Sequence, residues 1–343
     1  MNDALSHILV VGVGSIGERH VRCFQNTGRA RLSICEVHDS LREEVGQRYG
    51  IERCYSDLTT ALAEPHDAVV VATPAHVHIP IAQQAADAGL HLLIEKPLAI
   101  TLDGIESLKQ TVLKRRLVAA VAYVYRAHPA LAAMKRAIDE GRFGKPLEVV
   151  AVAGQNFPTY RPAYRDTYYR DRAMGGGAIQ DAMTHVINAT EWLVGPTDRL
   201  IADAAHQLLV GVDVEDTVHL MARHGDVMGC YALNQHQAPN ENTITVVCER
   251  GTARFEMHRN RWRWVTKVDG PWEEERMPLE RDTLFTRQAS AFLDAITGEA
   301  NPLCSLDEGL QTLRVNLAAL ASLDQKQWQS IPHGQTNHQR TNP

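Results

Sequence analysis

The chain has 343 residues, 44% of them hydrophobic and 22% charged, with 35 Lys and Arg against 41 Asp and Glu and a net charge of -6. That is a globular composition, and its negative balance argues against nucleic acid or an anionic membrane surface as the main partner. Single cores rarely grow past about 250–300 residues, so two domains are expected.

The first stretch, His7-Ile-Leu-Val-Val-Gly-Val-Gly-Ser-Ile-Gly17, sets the frame. Uninterrupted β-formers read as a strand buried on both faces of a parallel sheet. Gly12, Gly14 and Gly17 then give G-x-G-x-x-G ahead of a helix. Gly12 allows the tight turn, Gly14 lets a pyrophosphate approach the backbone, and Gly17 lets helix and strand pack closely. The helix start, with Ser15 and Ile16, offers free N–H groups and a positive dipole end to that phosphate. A second β run ends in Glu36, nineteen residues after Gly17. A carboxylate there accepts hydrogen bonds from adenosine ribose hydroxyls and repels a 2′-phosphate, so NAD is expected rather than NADP. Arg42 could still serve a phosphate.

Up to about Ala122 apolar runs alternate with helical patterns, the grammar of a doubly wound sheet. Strands are expected at 7–11, 31–36, 52–55, 67–72, 91–94 and 118–122, and helices near 15–27, 40–48, 58–63, 77–88 and 102–115. A helix from His128 to Glu140 bridges onward. From Pro146 strand runs follow one another, at 147–154, 199–209, 214–224, 227–236, 242–249, 252–257 and 261–268, with one helix, Asp181 to Val194, between the first two. Turn signals such as Arg250-Gly251 make this an antiparallel meander, hence a large open sheet with helices on one face. Helices at 283–297 and 306–323 close the chain. The expected division is 1–122 for dinucleotide binding, 123–330 for substrate binding and oligomerisation, and 331–343 as a disordered tail.

Three further stretches point to one cleft. Val69 to His78 runs from a strand through Ala72-Thr-Pro74 into a helix. Ligands of open α/β sheets sit beyond the carboxyl ends of strands, so Thr73, Pro74, His76 and His78 would face a cofactor. Thr73 could equally be a helix cap, and a lone His76 is more often solvent-facing. Leu92-Leu-Ile-Glu95-Lys96-Pro97 places a Lys directly after a buried strand, where its ammonium is costly to desolvate. Pro97 fixes the path there, and a cis peptide before it is expected. In Met174-Gly-Gly-Gly-Ala-Ile-Gln-Asp181-Ala-Met-Thr-His185, Asp181 and His185 stand i and i+4 on one helix face. The triple glycine would let another backbone or a ligand come close. Surface Asp–His pairs are common, but this helix is otherwise apolar, and a polar pair on a buried helix needs partners.

Together Gly12-Val-Gly-Ser-Ile-Gly17, Ala72-Thr-Pro74, Glu95-Lys-Pro97 and Gly175-Gly-Gly…Asp181…His185 resemble the Gfo/Idh/MocA family of sugar and cyclitol oxidoreductases, over the chain to about residue 325. The resemblance implies an α/β fold, with a Rossmann domain followed by an α+β domain whose open sheet is mostly antiparallel. It also implies homodimers or homotetramers packed through that sheet. Carried over residue by residue, Lys96 matches the catalytic lysine, Asp181 the substrate-orienting acid and His185 the general base. An imidazole is suited to take a hydroxyl proton at neutral pH, and Lys96 could stabilise the developing alkoxide.

The segment Gln155 to Arg170 concentrates aromatic and guanidinium groups just before this helix. Arg161 and Arg165 could bind a carboxylate or phosphate, and Tyr160, Tyr164 and Tyr168 could pack on a sugar ring. A solvated loop or subunit contact is the competing reading. The segment is similar to that of family members acting on acidic sugars. Tyr125, Arg126 and His128, with Asn234 and His236 on a later strand, are weaker candidates for the same pocket. Two other activities stay open: a glycosidase working through transient oxidation by bound NAD, and a non-catalytic dinucleotide-binding regulator. The chain's start lacks the basic and apolar regions of a leader, which points to the cytoplasm. The six cysteines show no metal spacing, and Cys23, Cys35, Cys230 and Cys248 are expected in the core as thiols.

Overall fold

Ile8, Leu9 and Val10 are fully buried, which is why no polar residue interrupts the run that forms β1 (Ser6–Val11). In the computed structural model, which describes residues 5–332, the chain continues through α1 (Ser15–Asn26), β2 (Ala30–Cys35), α2 (Asp39–Tyr49), β3 (Cys54–Tyr55), α3 (Leu58–Leu62) and β4 (Ala68–Val71). Then come α4 (His78–Asp87), β5 (His91–Ile94), α5 (Ile105–Arg115) and β6 (Ala119–Val121). All strand pairs here are parallel, in the order β3-β2-β1-β4-β5-β6. The order reverses between β1 and β4, and the crevice at such a switch point is where ligands of these sheets bind.

The second half contributes α6 (Pro129–Asp139), β7 (Pro146–Gly154), the single turn α7 (Phe157–Tyr160), and α8 (Thr184–Val194). Next are β8 (Arg199–Ala205), β9 (Thr217–His224), β10 (Val227–Asn234), β11 (Glu241–Cys248), β12 (Gly251–Glu256), β13 (Arg261–Val265) and β14 (Glu273–Arg276). The chain ends in α9 (Thr283–Ile296), α10 (Leu306–Gln325) and β15 (Gln329–Ser330). These strands form a nine-stranded sheet, β14-β13-β12-β11-β7-β10-β9-β8-β15, antiparallel except where β7 meets β10. Helices α6, α8 and α10 cover one of its faces.

The two C-terminal helices tie the sheets together. Phe292 and Leu293 of α9 pack with Ile8, Val10 and Phe24 against the parallel sheet, so this helix returns to the first half of the chain. Leu306, Leu310 and Leu313 of α10 enter the core on the sheet's opposite face, while Val315 and Ala319 enter the core of the second sheet. Ser305 and Glu308 close a capping box that fixes where α10 starts.

Some expectations needed correction. Cys230 is exposed, because β10 alternates and this position faces outward while Tyr231 and Leu233 face the core. The helix expected from Asp181 starts earlier, with a π turn over Ile179–Met183 that passes into α8. β14 and β15 lie in polar stretches with no apolar alternation to reveal them. Of the expected tail, 333–343 lie outside the described residues, whereas Ile331 is buried and donates its N–H to the Asp198 carbonyl at 2.7 Å.

Candidate active site

The glycine loop is shaped by contacts no larger residue could make. A Cβ on Gly17 would stand 1.9 Å from the Gly12 carbonyl oxygen, so helix and strand meet backbone to backbone. Gly12 has φ +81°, and its Cβ would stand 2.9 Å from the Ala72 carbonyl oxygen. In front of Gly14 the space is open, with nothing within 4 Å of a Cβ position. No side chain caps the start of α1, where Ser15 is exposed and Ile16 half-buried. The free N–H groups and open space fit a dinucleotide phosphate.

Glu36, at the end of β2, accepts from the Val13 N–H and the His38 N–H, each at 3.0 Å. Each carboxylate oxygen keeps a lone pair for a ribose hydroxyl. Arg42 is engaged beside it, donating to the Glu36 carbonyl at 2.8 Å and to Asp39 at 2.6 Å. Across the switch point the Thr73 hydroxyl is buried with no hydrogen-bond partner, so it caps nothing and is left with a bond to give. Pro74 and His76 are exposed. His78 is buried instead, with its ring nitrogens 2.8 Å from the Thr73 carbonyl and 3.0 Å from the Pro97 carbonyl. It braces two turns and keeps no nitrogen for a ligand. Glu95 is also spent internally, on His20 at 2.7 Å and the Lys96 N–H at 3.0 Å.

Beyond β5 the Lys96–Pro97 peptide is cis, as expected. The Lys96 ammonium donates to the Asp181 Oδ1 and to the Asp181 carbonyl, both at 2.9 Å. Asp181 also accepts from the Tyr168 hydroxyl at 2.7 Å and from Arg161 at 3.0 Å. Burial works to raise its carboxyl, but Lys96, Arg161 and the Tyr168 hydroxyl outweigh this and hold it well below the usual carboxylate range. Asp181 is therefore an anion at any working pH.

One turn further on, the His185 ring stacks on Tyr125 at 4.9 Å and 13° and meets the edge of Tyr123 at 5.9 Å. Asn242 donates to the Tyr125 hydroxyl at 2.7 Å, and the Tyr123 hydroxyl bonds Thr184 at 2.9 Å, so both rings are anchored. Nδ1 of His185 is buried without a hydrogen-bond partner. Burial first, then the Lys96 and Arg161 cations, push the imidazole well below its ordinary value, with Asp181 opposing. The result is a neutral, untied base beside an ammonium and a carboxylate.

The aromatic segment divides differently from expectation. Arg161 and Tyr168 reach Asp181, and Tyr160 is exposed. Tyr164 is buried and donates to the Val210 carbonyl at 2.8 Å, while Arg165 donates to the Tyr164 hydroxyl and lies against Gly211. Both hold loops together. Arg126 and His128 are likewise buried among protein partners, Asn188 and Glu308 for the first and the Ala130 N–H for the second. Two of the three glycines make way for other parts of the protein. A Cβ on Gly176 would stand 2.2 Å from the Tyr169 carbonyl oxygen, and one on Gly177 2.5 Å from the Glu215 carboxylate. Sequence reasoning missed His20, Asn242 and Glu215. Only Glu215 left a signal, two adjacent carboxylates at the head of an apolar β run.

Two family models match the chain. An oxidoreductase family with an NAD-binding Rossmann fold matches residues 6–123, and the GFO/IDH/MocA C-terminal domain matches residues 131–254. The levoglucosan dehydrogenase of Pseudarthrobacter phenanthrenivorans is 28% identical, over 88% of this chain and 90% of its own length. A levoglucosan dehydrogenase structure in complex with NADH superposes with a TM-score of 0.88 over 96% of this chain and 100% of its own, a likeness of fold at 23% identity. The WlbA dehydrogenase of Bordetella pertussis, in complex with NADH and UDP-GlcNAcA, is 26% identical with a TM-score of 0.80 over 96% of this chain and 99% of its own.

Proposed function

The chain belongs to the Gfo/Idh/MocA family of oxidoreductases, and from that premise we propose that it moves hydride between NAD and a secondary alcohol or ketone of a sugar, sugar acid or cyclitol. The observation that carries this reading is the Lys96–Asp181 pair just beyond the carboxyl end of β5, with the His185 imidazole four residues on from Asp181 and within electrostatic reach of both. When bound, NAD supplies the hydride acceptor. Everything else falls to side chains.

Asp181 is held as an anion and accepts a substrate hydroxyl, which fixes the carbon that reacts. Lys96 places a positive charge where the alkoxide develops, and a buried ammonium is worth more there than in water. His185 takes the hydroxyl proton. Its lowered affinity for protons keeps it unprotonated at neutral pH, and Lys96 offsets the weaker basicity by acidifying the hydroxyl. In the reductive direction the same imidazole, once protonated, returns the proton. Arg161 spends one N–H on Asp181 and keeps others, so acidic sugars belong among the candidate substrates.

The reading extends to assembly and location. The outward face of the nine-stranded sheet shows Met221, Met228 and Cys230, an apolar surface that suits a homodimer or homotetramer packed there. No helix among the described residues is long and apolar enough to cross a membrane, and all six cysteines are free thiols, as a reducing cytoplasm would keep them. A panel of polyols, aldoses and sugar acids, offered with NAD and with NADP, tests the activity. Reduced NAD accumulating with at least one alcohol supports it. Sugar release from a glycoside without net reduction would mark the glycosidase instead.

A further inference from the structure

Glu215 lies in the turn before β9 and is 3% exposed, a carboxylate in the interior outside the reacting group. Its carbonyl accepts from the Ala178 N–H at 3.0 Å, and its Oε1 accepts from the Ile179 N–H at 3.1 Å. These are N–H groups at the very start of the π turn that carries Asp181. Its Oε2 accepts from Arg172 at 2.9 Å. Gly177, at φ +88°, leaves room for the carboxylate to enter.

Arg172 belongs to a segment with a core of its own. Phe157, Tyr164 and Tyr169 pack with Leu209, Val212 and Val214, separate from the cores under the two sheets. Neighbouring Asp216 takes the N–H groups of Gln207, Leu208 and Leu209 and so folds the loop that forms the other half of this cluster. The same segment delivers Arg161 and Tyr168 to Asp181. One residue thus touches both bodies that meet at the site, the segment above and the helix start below.

We propose that Glu215 is a positioning residue, which caps the π turn beneath Asp181 and docks the 157–174 segment onto it through Arg172. The proposal rests on the reading of Asp181 as the substrate-orienting acid. The two halves of its action separate. The bond to the Ile179 N–H sets the direction of the Asp181 side chain relative to Lys96, and so governs turnover. The bridge to Arg172, whose side chain is 45% exposed, holds Arg161 and Tyr168 over Asp181, and so governs substrate affinity. A glutamine in its place keeps an acceptor oxygen for the N–H but turns an amide donor toward Arg172.

The test compares Glu215→Gln, Glu215→Ala and Arg172→Met by hydrogen–deuterium exchange, read on peptides covering 157–174 and 178–185, and by steady-state kinetics. Glu215→Gln and Arg172→Met are expected to speed exchange in 157–174 alone. They should raise KM for the alcohol at least fivefold and leave kcat within threefold. Glu215→Ala is expected to speed exchange in both peptides and lower kcat at least tenfold with NADH affinity unchanged. Wild-type exchange and kcat in Glu215→Ala would overturn the proposal. If that variant does not fold, wild-type exchange of 157–174 in both other variants overturns it. The exchange maps need no turnover, so an enzyme that reduced no NAD with any alcohol would refute the activity while these peptides still decided the role of Glu215.

Discussion

The Lys96 ammonium lies 2.9 Å from the Asp181 carboxylate and 2.9 Å from the carbonyl of the same residue, so one cation ties together the end of β5 and the turn leading into α8. The contact is both structural and chemical. Removing one partner of a buried pair leaves the other charge uncompensated, which costs about 3–5 kcal/mol. Arg161 and Tyr168 still serve Asp181, so Lys96→Met should lose less, about 1–3 kcal/mol. The double variant Lys96→Met/Asp181→Asn leaves neither charge behind. It should melt above Lys96→Met while remaining as inactive, the two losses on turnover being far from additive. Calorimetry and turnover on Lys96→Met, Asp181→Asn and the double variant check this.

The neutral state of His185 fixes the sign of the pH dependence. A base acts in its unprotonated form, and burial with the Lys96 and Arg161 cations lowers its proton affinity. The acid limb of kcat/KM should therefore lie below the ordinary histidine range, with a flat profile across neutral pH. Arg161→Gln removes one of those cations and should move the limb to higher pH. The linked stability has the same sense: it is present above the unfolded value and lost as pH falls through the folded one. A rate profile for each enzyme settles the direction.

Two glycines in one loop should respond differently. Gly17→Ala places a methyl 1.9 Å from the Gly12 carbonyl oxygen, so the loop must move, at about 1–3 kcal/mol of stability. Gly14→Ala meets no protein atom within 4 Å. Its melting temperature should stay at the wild-type value while NADH affinity falls at least tenfold, because the space it fills is the one assigned to the phosphate. Thermal melts beside NADH fluorescence titrations separate the two effects.

The proposed NAD site makes Glu36 the residue that would accept the ribose hydroxyls and repel a phosphate, and so set the cofactor preference. Glu36→Ala should weaken NAD binding about tenfold, or about 1.4 kcal/mol. It should also narrow the NAD over NADP ratio of kcat/KM, since Arg42 stays in place nearby. An unchanged ratio would move the preference to another residue.

The alternating elements of the first sheet were legible because a parallel strand buried on both faces has no choice but continuous β-formers, as in Ile8–Val11 and Ala68–Val71. That Lys96 and Asp181 would need partners in the interior was legible, because polar groups among apolar runs are costly to bury alone, and the two pair with each other. What was hidden depends on long-range contact. No local rule shows that Gly176 and Gly177 make way for Tyr169 and Glu215, since a ligand would leave the same glycines. Nor does spacing reveal that His78 turns inward to two carbonyls while His76 stays exposed. The roles of Tyr164 and Arg165 were equally out of reach, because the loop they brace lies some forty-five residues away in the chain.

The central claim is that His185 removes the proton as hydride leaves. It is tested most directly by a single turnover of the NAD-loaded enzyme with an alcohol found in the substrate panel, following reduced cofactor in wild type and His185→Ala. The account predicts a slowing of at least a hundredfold in the variant, with NADH affinity retained and partial recovery on adding imidazole. A single-turnover rate within threefold of wild type would contradict it.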